Sequence, residues 1–231
     1  MNMDETSLIV MLTHNDRTVE NARDVFQQCR GSKAEYWGFK DKPLPPPQMK
    51  SLYKYMKECG KKTVLEVVAY TEKECMRGAE MAAEFGCDIL MGTVFSDSVN
   101  ELCKGCGIRY MPFVGEVSQR PSILRGSLES MAAQAREYLA KGVYGIDLLG
   151  YRYVGDPEEL MEGFVSRVGA PVCIAGSINS YGRLDEIKRI SPAAFTIGSA
   201  FFENCFGTDI CSQINNVCDY MKTERPEGAK C

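Results

Sequence analysis

The sequence predicts an α/β fold, a single (β/α)8 barrel of the TIM type spanning residues 1–231, and three observations carry that expectation. Eight short apolar runs alternate with stretches of helical periodicity along the whole chain, an order that implies parallel strands joined by right-handed crossovers. No low-complexity linker divides the chain. The first strand ends in Leu12-Thr13-His14-Asn15-Asp16, which lacks the glycines of a dinucleotide-binding turn and disfavours an open doubly wound sheet.

The eight predicted strands cover 8–13, 35–39, 63–69, 88–92, 109–114, 145–149, 172–175 and 195–198. Between them, 19–29 places Val19, Ala22, Val25, Phe26 and Cys29 on one helical face, and 48–59 does the same with Met49, Leu52, Tyr53 and Met56. Segments 75–85 and 127–140 share the 3.6-residue period. Leu44-Pro45-Pro46-Pro47 reads as a short stiff loop before the second helix. Thr71-x-x-Glu74 is a capping box. Asp156-Pro157-Glu158-Glu159 combines a capping carboxylate, a proline at the first helical position and acidic residues facing the helix dipole. Gly60, Gly86 and Gly142 fall where left-handed C-caps are needed.

Composition excludes several functional classes. Apolar residues make up 45% and charged ones 25%, too apolar for disorder, and the net charge of −4 gives no basic footprint for nucleic acid. No uncharged apolar run reaches the ~18 residues that would span a bilayer, so no membrane partner is expected. The Met1-Asn2-Met3-Asp4-Glu5 start is acidic where a signal peptide is basic. Eleven cysteines are scattered to Cys231, with one Cys-x-x-Cys pair, Cys103 and Cys106, and one histidine. That is no zinc pattern. Cys59, Cys75, Cys87 and Cys173 sit among apolar residues as free thiols do, which fits a reducing, cytoplasmic setting. No metal and no cofactor is expected, and a homo-oligomer is compatible with all of this.

In such a barrel the site lies at the C-terminal ends of the strands. Strands seven and eight both end in Gly-Ser, at Gly176-Ser177 and Gly198-Ser199, and Ser199 opens a short helix over 200–205 ahead of a last helix over 210–221. Glycine lets backbone amides approach a ligand, and paired turns on these two strands suit a phosphate; two tight structural turns are the plainer alternative. Lys40 ends strand two, where it could hold an oxyanion, act as an acid or base, form a Schiff base if burial lowered its pKa, or be a solvated loop lysine. Glu66 and Asp147 interrupt apolar strands three and six. A carboxylate there needs a partner or a job, because an unpaired buried charge is costly. Coming from non-adjacent strands, the two suit acid and base groups on opposite sides of a substrate, as enolisation requires. Arg152 follows strand six and could bind phosphate or carboxylate, or be a surface arginine. His14 ends strand one as an acid/base or substrate contact, although Asn15 and Asp16 beside it could equally cap a helix. The long loop 115–126, with Arg120, Pro121 and Arg125, is a lid or a disordered surface loop.

The stretch Gly150-Tyr151-Arg152, Asp156-Pro157, Ala175-Gly176-Ser177-Ile178-Asn179 and Ile197-Gly198-Ser199-Ala200 resembles the last third of N-acylmannosamine-6-phosphate 2-epimerases, members of the ribulose-phosphate-binding barrel superfamily. The likeness covers roughly residues 144–202. It implies a phosphate site at the two Gly-Ser turns. The family's catalytic glutamate on strand seven falls at Ala175, and its strand-three lysine falls in Leu65-Glu66-Val67-Val68, so that epimerase chemistry does not transfer. Gly60-Lys61-Lys62-Thr63-Val64 and the order of elements are similar to glycerol-uptake antiterminator barrels, which implies a rival job: sensing a phosphorylated ligand and binding RNA, without catalysis. The residues themselves favour an enzyme that takes a sugar or polyol phosphate through an enediolate by isomerisation, epimerisation or aldol-type cleavage.

Overall fold

The computed structural model describes residues 5–223; Met1 to Asp4 and Cys231 lie outside them. Eight parallel strands form the barrel: β1 (Ser7–Met11), β2 (Tyr36–Lys40), β3 (Lys62–Ala69), β4 (Ile89–Thr93), β5 (Arg109–Met111), β6 (Ile146–Leu148), β7 (Val172–Ile174) and β8 (Ala194–Ile197). They run in the order β6-β7-β8-β1-β2-β3-β4-β5. The ring is completed beyond Pro112, where Asp147 N–H donates to Pro112 O at 3.0 Å and Phe113 bridges Asp147. All eight predicted strands are present. β5 is shorter than expected because Pro112 has no N–H to continue the ladder.

The helices are α1 (Ala22–Cys29), α2 (Pro46–Glu58), α3 (Glu72–Phe85), α4 (Asp97–Cys106), α5 (Leu128–Ala140), α6 (Pro157–Arg167), α7 (Tyr181–Ile190), the four-residue α8 (Ser199–Phe202) and α9 (Ile210–Lys222). The capping signals hold: Thr71 accepts from Glu74 N–H, Asp156 from Glu158 and Glu159 N–H, and Gly86 closes α3 at φ +66°. Pro46 and Pro47 correct the expected stiff loop. They form the first turn of α2, where an amide hydrogen has no helical acceptor and its loss costs nothing.

Alternation along the strands separates two apolar clusters. Leu8, Val10 and Leu12 face the helices, while Ile9, Val64, Ile89, Met91, Met111 and Cys173 fill the barrel axis. Of the cysteines, Cys59, Cys75, Cys87 and Cys173 are free, as expected. Cys29 is not: it forms a disulfide with Cys211, joining α1 to α9 across 182 positions of sequence. Cys103 is buried and Cys106 exposed. Among the described residues, no three His, Cys, Asp or Glu side chains gather as metal ligands, and no helix is long and apolar enough to cross a membrane.

Two hairpins decorate the C-terminal mouth. Thr13–His14 pairs with Arg17–Thr18 through a turn at Asn15 (φ +50°) and Asp16 (φ +65°). These two residues therefore form a hairpin turn and cap no helix; α1 begins after Asn21. The 115–126 segment is a second hairpin, Glu116–Ser118 with Ile123–Arg125, so the disordered-loop alternative does not hold. Tyr70 Oη donates to Gln119 O and contacts Ser122 Oγ, and Arg120 donates to Val68 O at 2.6 Å.

Candidate active site

A cavity of about 430 Å³ opens at the C-terminal ends of the strands, within the range of small-molecule sites. Lys40 and Glu66 lie at its β2/β3 end. Register explains the meeting: Lys40 on β2 stands opposite Glu66 on β3, and both point inward. The Lys40 Nζ is 3.3 Å from Glu66 Oε1 and closer still to Asp16 Oδ1, with the lysine and glutamate side chains only 12% and 13% exposed. Gly92 makes room for this pair. At φ +90° it has no Cβ, and one placed there would lie 2.9 Å from Glu66 Cγ.

Burial works against charge on Lys40, but the Glu66 and Asp16 carboxylates outweigh it and hold the ammonium above the ordinary lysine value. A Schiff base needs the neutral amine, so this cage suits the oxyanion-holding role instead. Asp16 is the partner that residue-by-residue reading missed. The hairpin delivers it, and Thr18 clips that hairpin to β2 by accepting from Lys40 N–H and donating to Lys40 O.

Asp147 is elsewhere than expected. It is fully buried below the cavity, beside Cys173 in register, and neither carboxylate oxygen has a hydrogen-bond partner among the described residues. Burial first, then the Glu66 charge, push its pKa well above the carboxylate range, while Lys40 pulls the other way. Asp147 thus lies beneath Glu66 with its protonated form favoured, and the two carboxyls do not flank the cavity from opposite sides.

The β7/β8 end is made mostly of backbone. Gly176 (φ +97°) and Ser177 (φ +54°) form one turn, Gly198 and Ser199 the next, and all four line the same cavity. The first-turn amides of α8 at Ser199 and Ala200 have no intrahelical acceptor. Arg152, on the 3-10 turn Gly150–Arg152, lies along Gly176, where a Cβ would sit 3.0 Å from Arg152 Cγ. Its guanidinium makes no ion pair among the described residues. Arg183, by contrast, is held outside the cavity, donating to Ser177 O and stacking on Tyr151 at 4.6 Å. His14 turns to the rim, 3.5 Å from Glu203 and stacked on Phe202, while Thr13, Asn15 and Asp16 on either side of it line the cavity. Pro121 and Ser122 of the second hairpin reach the cavity as well. Ala175 also lines it, at the position where the epimerase likeness would require a glutamate.

No protein-family model matches the chain, and no curated protein matches it in sequence. Solved structures do match in three dimensions. Tryptophan synthase from M. tuberculosis superimposes with a TM-score of 0.67 at 12% identity, covering 96% of this chain and 94% of that one. Orotidine 5'-phosphate decarboxylase from Lactobacillus acidophilus gives 0.65 at 11% identity, covering 95% and 100%. The N-acetylmannosamine-6-phosphate 2-epimerase from Clostridium perfringens gives 0.63 at 13% identity, covering 86% and 89%. At such identities the likeness is one of architecture alone, and the chain has the (β/α)8 barrel fold.

Proposed function

We propose that the protein is an enzyme that binds a sugar or polyol phosphate and moves a proton next to a carbonyl through an enediolate. The observation that carries the reading is that the Lys40–Glu66 pair and the two Gly-Ser turns line one cavity. The phosphate would rest on the amides of Gly176–Ser177 and Gly198–Ser199, with Arg152 as its cation. This leaves the carbon skeleton extending toward β2 and β3. There Glu66 takes the proton from carbon, and the electron pair moves onto the carbonyl oxygen, where the Lys40 ammonium offsets the developing charge. Return of the proton to the neighbouring carbon, with that carbon's hydroxyl proton passing to the former carbonyl oxygen, completes an isomerisation. Return to the opposite face gives an epimer. In an aldol-type cleavage the base would take the proton of the β-hydroxyl instead, and that oxygen becomes a carbonyl as the C–C bond breaks. The bond's electron pair passes into the same enediolate, and the proton is returned to its carbon. Asp147, without a hydrogen-bond partner among the described residues, is coupled to Glu66 through charge alone. His14 would support the Glu203 rim of the ligand site.

A thermal-shift screen of phosphorylated metabolites tests the binding half. A ligand at about 100 times its Kd adds ~2.7 kcal/mol, a rise in Tm of about 5–10 °C for a chain of this size. Ser199→Asp should remove that rise by placing a carboxylate in the cradle. The reading fails if no phosphorylated compound stabilises the protein or if the variant responds equally. Incorporation of solvent deuterium next to the carbonyl of the best ligand tests the catalytic half, and a ligand that binds without ever exchanging would make the protein a sensor.

A further inference from the structure

The two ends of the cavity differ in charge, and that difference restricts the ligand. We propose that the site selects a singly phosphorylated sugar or polyol whose far end carries no negative charge, and that Asp16 is the residue enforcing the choice. This rests on the phosphate reading above and adds to it which phosphate esters are refused.

Among the described residues lining the cavity, Lys40 and Arg152 are the only lysine or arginine. Arg152 lies along the Gly176 turn and belongs to the phosphate end. Lys40 is shared between Asp16 and Glu66, so the far end holds two carboxylates on one ammonium and stays net negative. Among the described residues no other cation reaches it. Arg120 places its guanidinium on Val68 O and over the Tyr70 ring, and Arg183 is fixed on Ser177 O. Glu203, also on the cavity wall, follows α8 at the phosphate end, where His14 on the rim partners it, so it adds nothing to the far end. Beneath the floor, burial first and then the Glu66 charge raise the Asp147 pKa. A ligand carboxylate or second phosphate arriving here meets like charge, with a single Lys40 N–H left to receive it.

Hydroxyl groups fare differently. Asp16 and Glu66 each give one oxygen to Lys40 and keep acceptor capacity for a ligand hydroxyl, which donates. The far end therefore rewards O–H donors and disfavours a group that is fully ionised in the bound ligand, while the remaining Lys40 N–H faces the carbonyl oxygen on which charge develops only during reaction.

Asp16 can be changed without disturbing the turn. Asparagine accepts the left-handed conformation at φ +65° as readily as aspartate does, and Lys40 retains Glu66. Asp16→Asn thus removes one negative charge while leaving the fold intact.

The decisive comparison uses two esters that differ at one carbon, glycerol 3-phosphate with a terminal CH2OH and 3-phosphoglycerate with a carboxylate, plus inorganic phosphate, all measured by calorimetry. The unsubstituted protein should bind glycerol 3-phosphate about tenfold tighter than 3-phosphoglycerate or better, and Asp16→Asn should narrow that ratio to about threefold or less. Equal or tighter binding of 3-phosphoglycerate, with inorganic phosphate still bound, overturns the proposal while leaving the phosphate site standing. So does an unchanged ratio in Asp16→Asn. Failure of all three probes to bind the unsubstituted protein removes the phosphate reading, and this inference with it.

Discussion

At the β7/β8 end the cavity is walled by main-chain turns whose shape is set by Gly176, Ser177 and Gly198, whereas at the β2/β3 end it is walled by Lys40, Glu66 and Asp16, three ionisable side chains from three different elements. The first kind of wall carries partial charges fixed by backbone geometry, so it can face an anion without any buried formal charge to neutralise. The second kind is held together by mutual neutralisation, and each member is stable there only because the others are present. One short element joins the two. The Thr13–Thr18 hairpin sends Asp16 to Lys40, while Asn15 N–H donates to Ser199 Oγ at 3.1 Å. The contrast teaches that a change at the charged end should act mainly on chemistry, and a change at the backbone end mainly on binding.

The largest effect should follow loss of the ammonium. Lys40→Met leaves Asp16 and Glu66 facing each other without a cation, and turnover should fall about 10²–10⁴-fold through loss of the oxyanion partner and misplacement of the base. Glu66→Gln should fall as far while keeping a folded barrel, because it removes charge from the cluster instead of stranding it. Steady-state rates alongside circular dichroism check both. Turnover within about tenfold of normal in both variants would erase the distinction between the two ends.

Next in size is Gly198→Ala. A Cβ here would lie 2.3 Å from Thr13 Oγ1 and 2.9 Å from Thr13 O, a backbone atom that cannot swing aside. The clash should cost about 1–3 kcal/mol of stability and abolish phosphate-dependent stabilisation in a thermal shift. Because Thr13 begins the hairpin that carries Asp16, this variant should also weaken the charged end. An alanine variant that binds phosphate normally would show that the cradle does not depend on the Gly198 turn.

These outcomes bear on how much of the site could be seen in the chain itself. The Gly-Ser turns were legible because glycine marks backbone that must approach something, and Lys40, Glu66 and Asp147 because a charge within an apolar strand is conspicuous. The strands themselves were legible as apolar runs, and their alternation fixed which residues point inward. Depth along the barrel axis was not legible. It depends on the stagger between strands, which placed Glu66 on the cavity wall and Asp147 beneath it. Asp16 was missed because Asn15-Asp16 satisfies two rules at once, helix capping and a hairpin turn with positive φ, and only the pairing of Thr13–His14 with Arg17–Thr18 chooses between them. The Cys29–Cys211 disulfide had no local sign, since contact between α1 and α9 arises only when the ring closes.

The smallest and most specific effect concerns pH, and it should belong to the charged end alone. Asp147 has its folded-state pKa raised by burial and by Glu66, above the value near 3.8 that it has when unfolded. Its contribution to stability is therefore complete below that unfolded value and is lost as pH rises toward and through the folded one, because the unfolded chain releases the proton more easily. Asp147→Asn is neutral at every pH and cannot show this loss. Urea denaturation from pH 4 upward should find the unsubstituted protein losing stability relative to Asp147→Asn with rising pH, by at most about 1.4 kcal/mol per pH unit. Any fixed penalty from the buried amide shifts the two curves apart without changing that slope. Gly198→Ala, made in a cradle of main-chain donors that do not titrate, should keep the slope of the unsubstituted protein. Parallel curves for Asp147→Asn would mean that Asp147 is ionised and paired in the folded barrel, and the two carboxylates of the charged end would then have to be counted as three.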